Sequence, residues 1–249
     1  MATTSIFQVL KRLSKDSIVY GLGRLLPRAS AIVLVPIYTA YLLPADYGIL
    51  SLASMIAAMI AQLMLLGQTG TLVRLHRPQS KEHTTEELGQ LVFTVTLFVL
   101  AVGGGLLAAL LLIGPWLLPK VMSSPSFTFH PYLTVALVAT YTMIPMTLLQ
   151  GIYRAEGQAG RHMVFQLGRF VISTAFALYF VVVLKQGALG SLKGGLYSAV
   201  ILLPVAGYVL LRRMRLRFSM RLLRQSVSFG LPLVPHFFFS SRISSSVRS

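Results

Sequence analysis

Long apolar stretches alternate with short polar ones along the whole chain. A helix needs about 20 mostly apolar residues to cross a bilayer, and most of these stretches approach or exceed that length. The pattern predicts an all-α fold, a polytopic transmembrane helical bundle with six spans and a truncated seventh. The predicted spans are Lys15–Leu43, Gly48–Val73, Leu88–Leu118, Tyr132–Tyr153, His162–Leu184, Leu196–Leu211 and Val227–Phe239.

Small and turn-forming residues mark where these helices are expected to turn or pack. Pro44 and Asp46 predict a tight turn between the first two spans. Three glycines at 103–105, in the middle of the third span, favour a close approach of neighbouring helices. Trp116 lies at the far end of that span, where an interfacial anchor is expected. The stretch KQGALGSLKGG leads into the sixth span and is predicted to be a loop.

Composition is typical of a membrane protein rather than a soluble domain. Of the 249 residues, 55% are hydrophobic and only 11% are charged, and the mean hydropathy is +0.74. Cysteine is absent, which excludes disulfides, thiolate metal sites and cysteine nucleophiles. The first span follows charged residues without a small-residue cleavage pattern, so it is expected to be retained.

The basic residues that give the chain its net charge of +16 are unevenly distributed between the two predicted sides of the membrane. If the N-terminus is inside, fourteen lysines and arginines lie inside and three lie in outside loops, so the positive-inside rule predicts a cytoplasmic N-terminus. The orientation of the protein in the membrane therefore explains the basic charge better than nucleic-acid binding does. For the basic run at residues 212–224, contact with anionic membrane lipids is the alternative explanation. The inside set is Lys11, Arg12, Lys15, Arg74, Arg77, Lys81, Arg154, Arg161, Arg212, Arg213, Arg215, Arg217, Arg221 and Arg224.

Three arginines lie within predicted spans, where lipid tolerates cations poorly. A rise of about 1.5 Å per residue puts Arg24 roughly 12 Å, Arg28 roughly 18 Å and Arg169 roughly 13 Å into the membrane. A cation at such depth costs at least about 2.5–3.5 kcal/mol, so it normally faces a bundle interior or a wet cavity. Gln166 shares the helical face of Arg169 and is placed to support its guanidinium. These four residues predict a cavity for an anion; the alternative is a structural role, with Arg24 reaching back to the headgroups.

A weak internal repeat divides the chain. LSKDSIVYGL begins at Leu13, and LLRQSVSFGL begins 209 residues later at Leu222. Such repeats are common in transporters. The repeat predicts a six-helix bundle over residues 1–225 and the truncated start of a second bundle, with a Ser-rich tail, over residues 226–249.

Three segments together resemble a known family. SIVYGL at residues 17–22, PIYTAYLLPADYGIL at 36–50 and FGLPLVPH at 229–236 look like the flippases and exporters of lipid-linked polysaccharide units, the O-antigen flippase type. That superfamily also includes multidrug exporters and the lipid II flippase. The resemblance implies two pseudosymmetric bundles with a central cavity that alternates between the two faces of a bacterial inner membrane. It also implies that basic residues, here matched by Arg24, Arg28 and Arg169, hold the pyrophosphate of an undecaprenyl-linked glycan.

The chain departs from the family at its end. Where the resemblance implies further apolar residues and an acidic one, the sequence reads SSRISSSVRS, as a truncated product would. A nonfunctional remnant or membrane scaffold is therefore an alternative to a working flippase. A multidrug or cation antiporter is the other alternative, although such proteins generally need buried carboxylates, and the one acidic residue of the predicted spans, Asp16, lies at the cytoplasmic edge of the first.

Enzymatic function is not expected. The histidines are scattered without metal-ligand spacing, and no phosphate-binding loop motif is present. No cofactor or metal is therefore predicted. The histidines are His76, His83, His130, His162 and His236.

Overall fold

The computed structural model describes residues 35–75, 85–121 and 127–230. These residues are almost entirely helical, and no strand occurs among them, which confirms the all-α prediction. The predicted first span with Arg24 and Arg28, apart from its last residues, lies outside the described residues, and so does the predicted seventh span after Gly230.

Nine helical segments follow one another through the described residues. Two short π-helical turns, Phe129–Leu133 and Tyr179–Val183, precede α5 and follow α7. The segments are α1 (described over 35–41), α2 (Pro44–Leu65), α3 (Gln68–Leu75), α4 (Thr85–Val121), α5 (Thr134–Thr142), α6 (Ile144–Ala155), α7 (Ala159–Leu178), α8 (Gly187–Arg213) and α9 (Met220–Gly230).

Five stretches of the described chain are long and apolar enough to cross a membrane. They correspond to the predicted second to sixth spans. The fourth is made of two helices, because α5 ends at Thr142 and α6 starts at Ile144, with Pro145 in its first turn. The stretches are Pro44–Leu65, Glu86–Leu118, Phe129–Ala155, Ala159–Val183 and Gly187–Arg213.

Two predicted boundaries were wrong. The second span was expected to continue to Val73, but α2 ends at Leu65 because Leu66 and Gly67 take positive φ values of 45° and 70°. That left-handed pair breaks the helix before the short α3. The sixth span was expected to begin at Leu196, but α8 begins at Gly187, so most of the predicted loop is helical.

Asp46 ties the beginnings of two helices together. Its carboxylate accepts hydrogen bonds from the backbone N–H of Leu43 at 3.2 Å, before α2, and from that of Ala188 at 3.3 Å, in the first turn of α8. A carboxylate near a helix N-terminus satisfies N–H groups that have no partner within the helix. Pro44 and Asp46 thus lie in the first turn of α2 rather than in the turn predicted there, and Asp46 also positions α8.

Glycines allow the helices to approach closely, as predicted for the third span. A Cβ atom at Gly103 would lie 3.0 Å from Cδ1 of Ile144, and one at Gly104 would lie 3.1 Å from the hydroxyl of Tyr141, whereas Gly105 has open space. A closer contact joins α7 and α8 than either of these, since a Cβ atom at Gly194 would lie 2.6 Å from the backbone nitrogen of Ala177. Glycine thus brings α8 against α7.

The helix α9 packs across one end of the bundle, against α3 and α4. Its buried residues are Leu222, Ser226 and Gly230, four residues apart and therefore on one face. The Ser226 hydroxyl donates to Oε1 of Gln68 at 2.8 Å, and the Ser226 carbonyl accepts from Thr71 at 3.3 Å. The predicted domain boundary between residues 225 and 226 falls inside this helix.

Candidate functional site

Arg169 lies near the middle of a candidate membrane span. It is ten residues after the start of α7, which corresponds to about 15 Å along the helix axis. The stretch Ala159–Val183 around it is apolar and long enough to cross a membrane. The side chain is exposed rather than packed into a core. The sequence therefore places a guanidinium at a depth where lipid alone would not stabilise it.

The Arg169 side chain lines a cavity of about 240 Å³ between helices. The walls come from α2, α5, α6 and α8 as well as α7, and most of the wall is apolar. Besides Arg169, the described lining residues are Ala61, Leu65, Ala139, Thr140, Met143, Ile144, Thr147 and Gly195. An arginine in such a setting has few protein groups around it that can accept its hydrogen bonds.

Within the described residues, Arg169 forms neither an ion pair nor a hydrogen bond. The carboxylates in this part of the chain lie at the ends of the candidate spans, since Asp46 is in the first turn of α2 and Glu86 and Glu87 are in that of α4. Glu156 follows α6 and pairs with Arg213 at 2.6 Å. The arrangement leaves the Arg169 charge available for an anion from outside this part of the chain.

The structure says less about the other predicted site residues. Gln166 lies three residues before Arg169, is half-buried and has an interaction of its own. Its role in supporting the guanidinium stays a prediction. Arg24 and Arg28 lie outside the described residues, so the meeting of three arginines at one level of the membrane also stays a prediction.

Sequence reasoning missed the wall that faces the cavity from α5 and α6. Thr140 and Thr147 are seven residues apart, on either side of the helix break at Met143. Their hydroxyls donate to backbone carbonyls four residues earlier, Thr140 to Ala136 at 2.8 Å and Thr147 to Met143 at 3.0 Å. The i, i+7 spacing and Pro145 were visible in the sequence, but threonines in apolar helices are too common to single out.

Comparison with known proteins agrees with this architecture. The sequence model of a family described as polysaccharide biosynthesis protein matches residues 13–246. No curated protein matches the chain.

Solved structures share the arrangement of helices. A MOP superfamily transporter from Pyrococcus furiosus, whose binding pocket is described as having reverse polarity, superimposes with a TM-score of 0.71 at 19% identity, over 90% of this chain and 52% of its own. An outward-facing multidrug resistance MATE family transporter of the MOP superfamily gives a TM-score of 0.67 at 18% identity, over the same shares, 90% and 52%. At this identity the likeness shows the fold, and the chain spans about half the length of these structures.

Proposed function

Because the chain belongs to the polysaccharide biosynthesis protein family, we propose that it acts in a flippase that moves lipid-linked oligosaccharide or polysaccharide units across a membrane. In this proposal the substrate is a glycan on an undecaprenyl pyrophosphate carrier and the membrane is the bacterial inner membrane. The cavity is expected to open alternately to the two faces. The function needs binding and release of an anion, and no bond of the substrate is broken.

The observation that carries the proposal is the Arg169 cavity. A guanidinium presents five N–H donors in a planar fork and stays charged at any physiological pH, so it suits two oxygens of one phosphate group. Apolar walls screen the charge poorly, and charge-assisted hydrogen bonds to phosphate are stronger there than in water. In the proposal, Arg24 and Arg28 hold the same pyrophosphate, and Gln166 supports the guanidinium of Arg169.

A multidrug or cation antiporter is the second candidate, because the MATE transporters share this fold. A cation would need a carboxylate in the cavity. Within the described spans the carboxylates lie only at helix ends, while the cavity contains an arginine. The charge of the described cavity therefore favours an anionic substrate.

The direct test replaces Arg169 with Gln in the full chain and measures translocation of the lipid-linked glycan, in cells whose surface polysaccharide depends on this protein. Losing a charge-assisted pair costs about 1.5–3 kcal/mol, so we expect roughly a 10- to 100-fold loss. Arg169→Lys should recover only part of it, because lysine cannot form the bidentate contact.

Arg161→Gln is the matched control on the same helix. Arg161 is exposed at the start of α7 and donates to Gln158 at 2.8 Å, so its loss should leave translocation within about two-fold, as for other exposed polar contacts. Equal translocation by the Arg169→Gln variant and the parent would refute the role of this cavity. Movement of an organic cation instead of the glycan would favour the antiporter.

A further inference from the structure

Two threonines complete the polar lining of the Arg169 cavity. Thr140 comes from α5 and Thr147 from α6, and both are half-buried. Together with Arg169 they are the side chains among the described lining residues that can form ordinary hydrogen bonds, since the others are apolar or glycine. These three groups are therefore the ones that can form hydrogen bonds to a ligand in the cavity.

As arranged in the structure, the threonine hydroxyls present acceptors to a ligand. Each hydroxyl has one hydrogen, and both hydrogens are already donated to backbone carbonyls, at 2.8 Å for Thr140 and 3.0 Å for Thr147. Two lone pairs on each oxygen remain. Arg169 has the opposite character, because a guanidinium only donates. The cavity therefore presents donors from α7 and acceptors from α5 and α6.

In this arrangement a bare anion matches only the donor side of the cavity. A deprotonated phosphate has acceptor oxygens for Arg169 but no hydrogen for the threonines. A sugar attached to the phosphate has hydroxyl groups that can donate to them. We propose that Thr140 and Thr147 are specificity residues that recognise hydroxyl groups of the sugar directly attached to the phosphate held by Arg169. This inference rests on the proposed anion site.

The size of the cavity limits how much of the substrate it holds. Pockets for drug-sized ligands measure about 300–1,000 Å³, and this one measures about 240 Å³. It suits a phosphate with one attached ring rather than a whole oligosaccharide. The threonines therefore select the first sugar, and the rest of the glycan lies outside this cavity.

The experiment compares two ligands of similar shape that differ in hydroxyl groups, glucose 1-phosphate and cyclohexyl phosphate. Binding of both is measured to the purified full chain in nanodiscs. One neutral hydrogen bond contributes about 0.5–1.5 kcal/mol, so Thr140→Val and Thr147→Val should each weaken glucose 1-phosphate binding roughly 2- to 12-fold. Cyclohexyl phosphate binding should stay the same, because valine keeps the shape of threonine.

Thr142→Val is the matched control. Thr142 lies on α5 and donates to the carbonyl of Val138 at 2.8 Å, as the two cavity threonines do to theirs, but it is not among the described lining residues of the cavity. Its variant should bind both ligands like the parent. Thr140→Ser and Thr147→Ser keep the acceptor oxygen and should restore the preference for glucose 1-phosphate, which separates recognition from a folding defect.

The outcomes separate this inference from the proposed function. If Arg169→Gln abolishes binding of both phosphates while the valine variants leave the preference for glucose 1-phosphate intact, the anion site stands and the threonine inference is wrong. If Arg169→Gln leaves cyclohexyl phosphate binding unchanged, the anion site itself is wrong. Equal weakening of both ligands in the valine variants also contradicts selection by hydroxyl groups.

Discussion

The arginines of this chain have very different surroundings. Arg213 bonds to both oxygens of Glu156, each at 2.6 Å, and its guanidinium lies 5.0 Å from the centre of the Tyr153 ring. Arg169 has no such partner within the described residues and faces a cavity instead. The first side chain is held by the protein, while the second is free to bind a ligand.

Asp46 is the residue whose loss should weaken the fold most clearly without touching the cavity. Its carboxylate holds the first N–H groups of α2 and α8. Asp46→Ala removes both bonds and should lower the free energy of unfolding by about 1–2 kcal/mol, the usual cost of losing a cap. Thermal unfolding in detergent measures the change.

Glu86→Ala is a suitable comparison for that variant. Glu86 is also in the first turn of a helix, but it is 73% exposed and its oxygen lies 3.9 Å from Arg215. A long, exposed pair contributes little, so its loss should shift the unfolding temperature much less than Asp46→Ala. An equal shift would show that Asp46 does not join the two helices.

Among the helices, α7 and α8 should be a pair that is sensitive to a single methyl group. Gly194→Ala would place a Cβ atom 2.6 Å from the backbone nitrogen of Ala177, which cannot move aside as a flexible side chain can. Overpacking of this kind costs about 1–3 kcal/mol. We expect a lower unfolding temperature.

The neighbouring glycine gives the control. Gly195 has no atom within 4 Å of its would-be Cβ, and alanine is favoured over glycine in a helix by about 1 kcal/mol. Gly195→Ala should therefore leave stability unchanged or raise it. Similar unfolding temperatures for the two variants would contradict the close contact between α7 and α8.

Some elements of the fold could be predicted from the sequence and others could not. Periodic apolar runs and Pro44 predicted five of the spans, because length and apolarity alone decide whether a helix can cross a membrane. The start of α8 was missed since Gly190 and Gly194 were read as loop residues, although they pack within helices against Phe180 and Ala177. The end of α2 was missed because Leu66 takes a left-handed conformation, which is unusual for leucine.

The candidate site was predictable only in part. Arg169 stands out in the sequence because a charged residue inside an apolar span usually belongs to a functional site. The threonine wall depends on the break at Met143 and on the packing of α5, α6 and α7 against α8. Those are properties of the packed bundle, and no local pattern in the chain encodes them.

In the molecule as a whole, basic residues gather at one end of the described bundle. That end contains nine arginines, while three lysines lie at the opposite end and Arg169 lies between them. The positive-inside rule predicts that the arginine-rich end faces the cytoplasm. The two sets are Arg74, Arg154, Arg161, Arg212, Arg213, Arg215, Arg217, Arg221 and Arg224 at one end, and Lys120, Lys185 and Lys193 at the other.

The absence of cysteine makes this orientation easy to test. Arg221→Cys and Lys185→Cys each introduce one thiol at an exposed position, on opposite ends of the bundle. With a membrane-impermeant maleimide added from outside, the thiol at position 185 should react and the thiol at 221 should react only after the membrane is opened. The cysteine-free parent gives the background, and the reverse labelling would mean the opposite orientation.

The length of α4 has a consequence for the outline of the protein. Its 37 residues extend about 55 Å, whereas the hydrocarbon layer is about 30 Å thick and helices rarely tilt beyond about 40°. Even at that slant, roughly ten residues must lie beyond the hydrocarbon layer. The backbone N–H of Arg215 donates to the carbonyl of Gly89 at 3.1 Å and so fixes the first turns of α4. The N-terminal end of α4, on the arginine-rich side, is therefore a suitable binding site for an antibody fragment in electron microscopy.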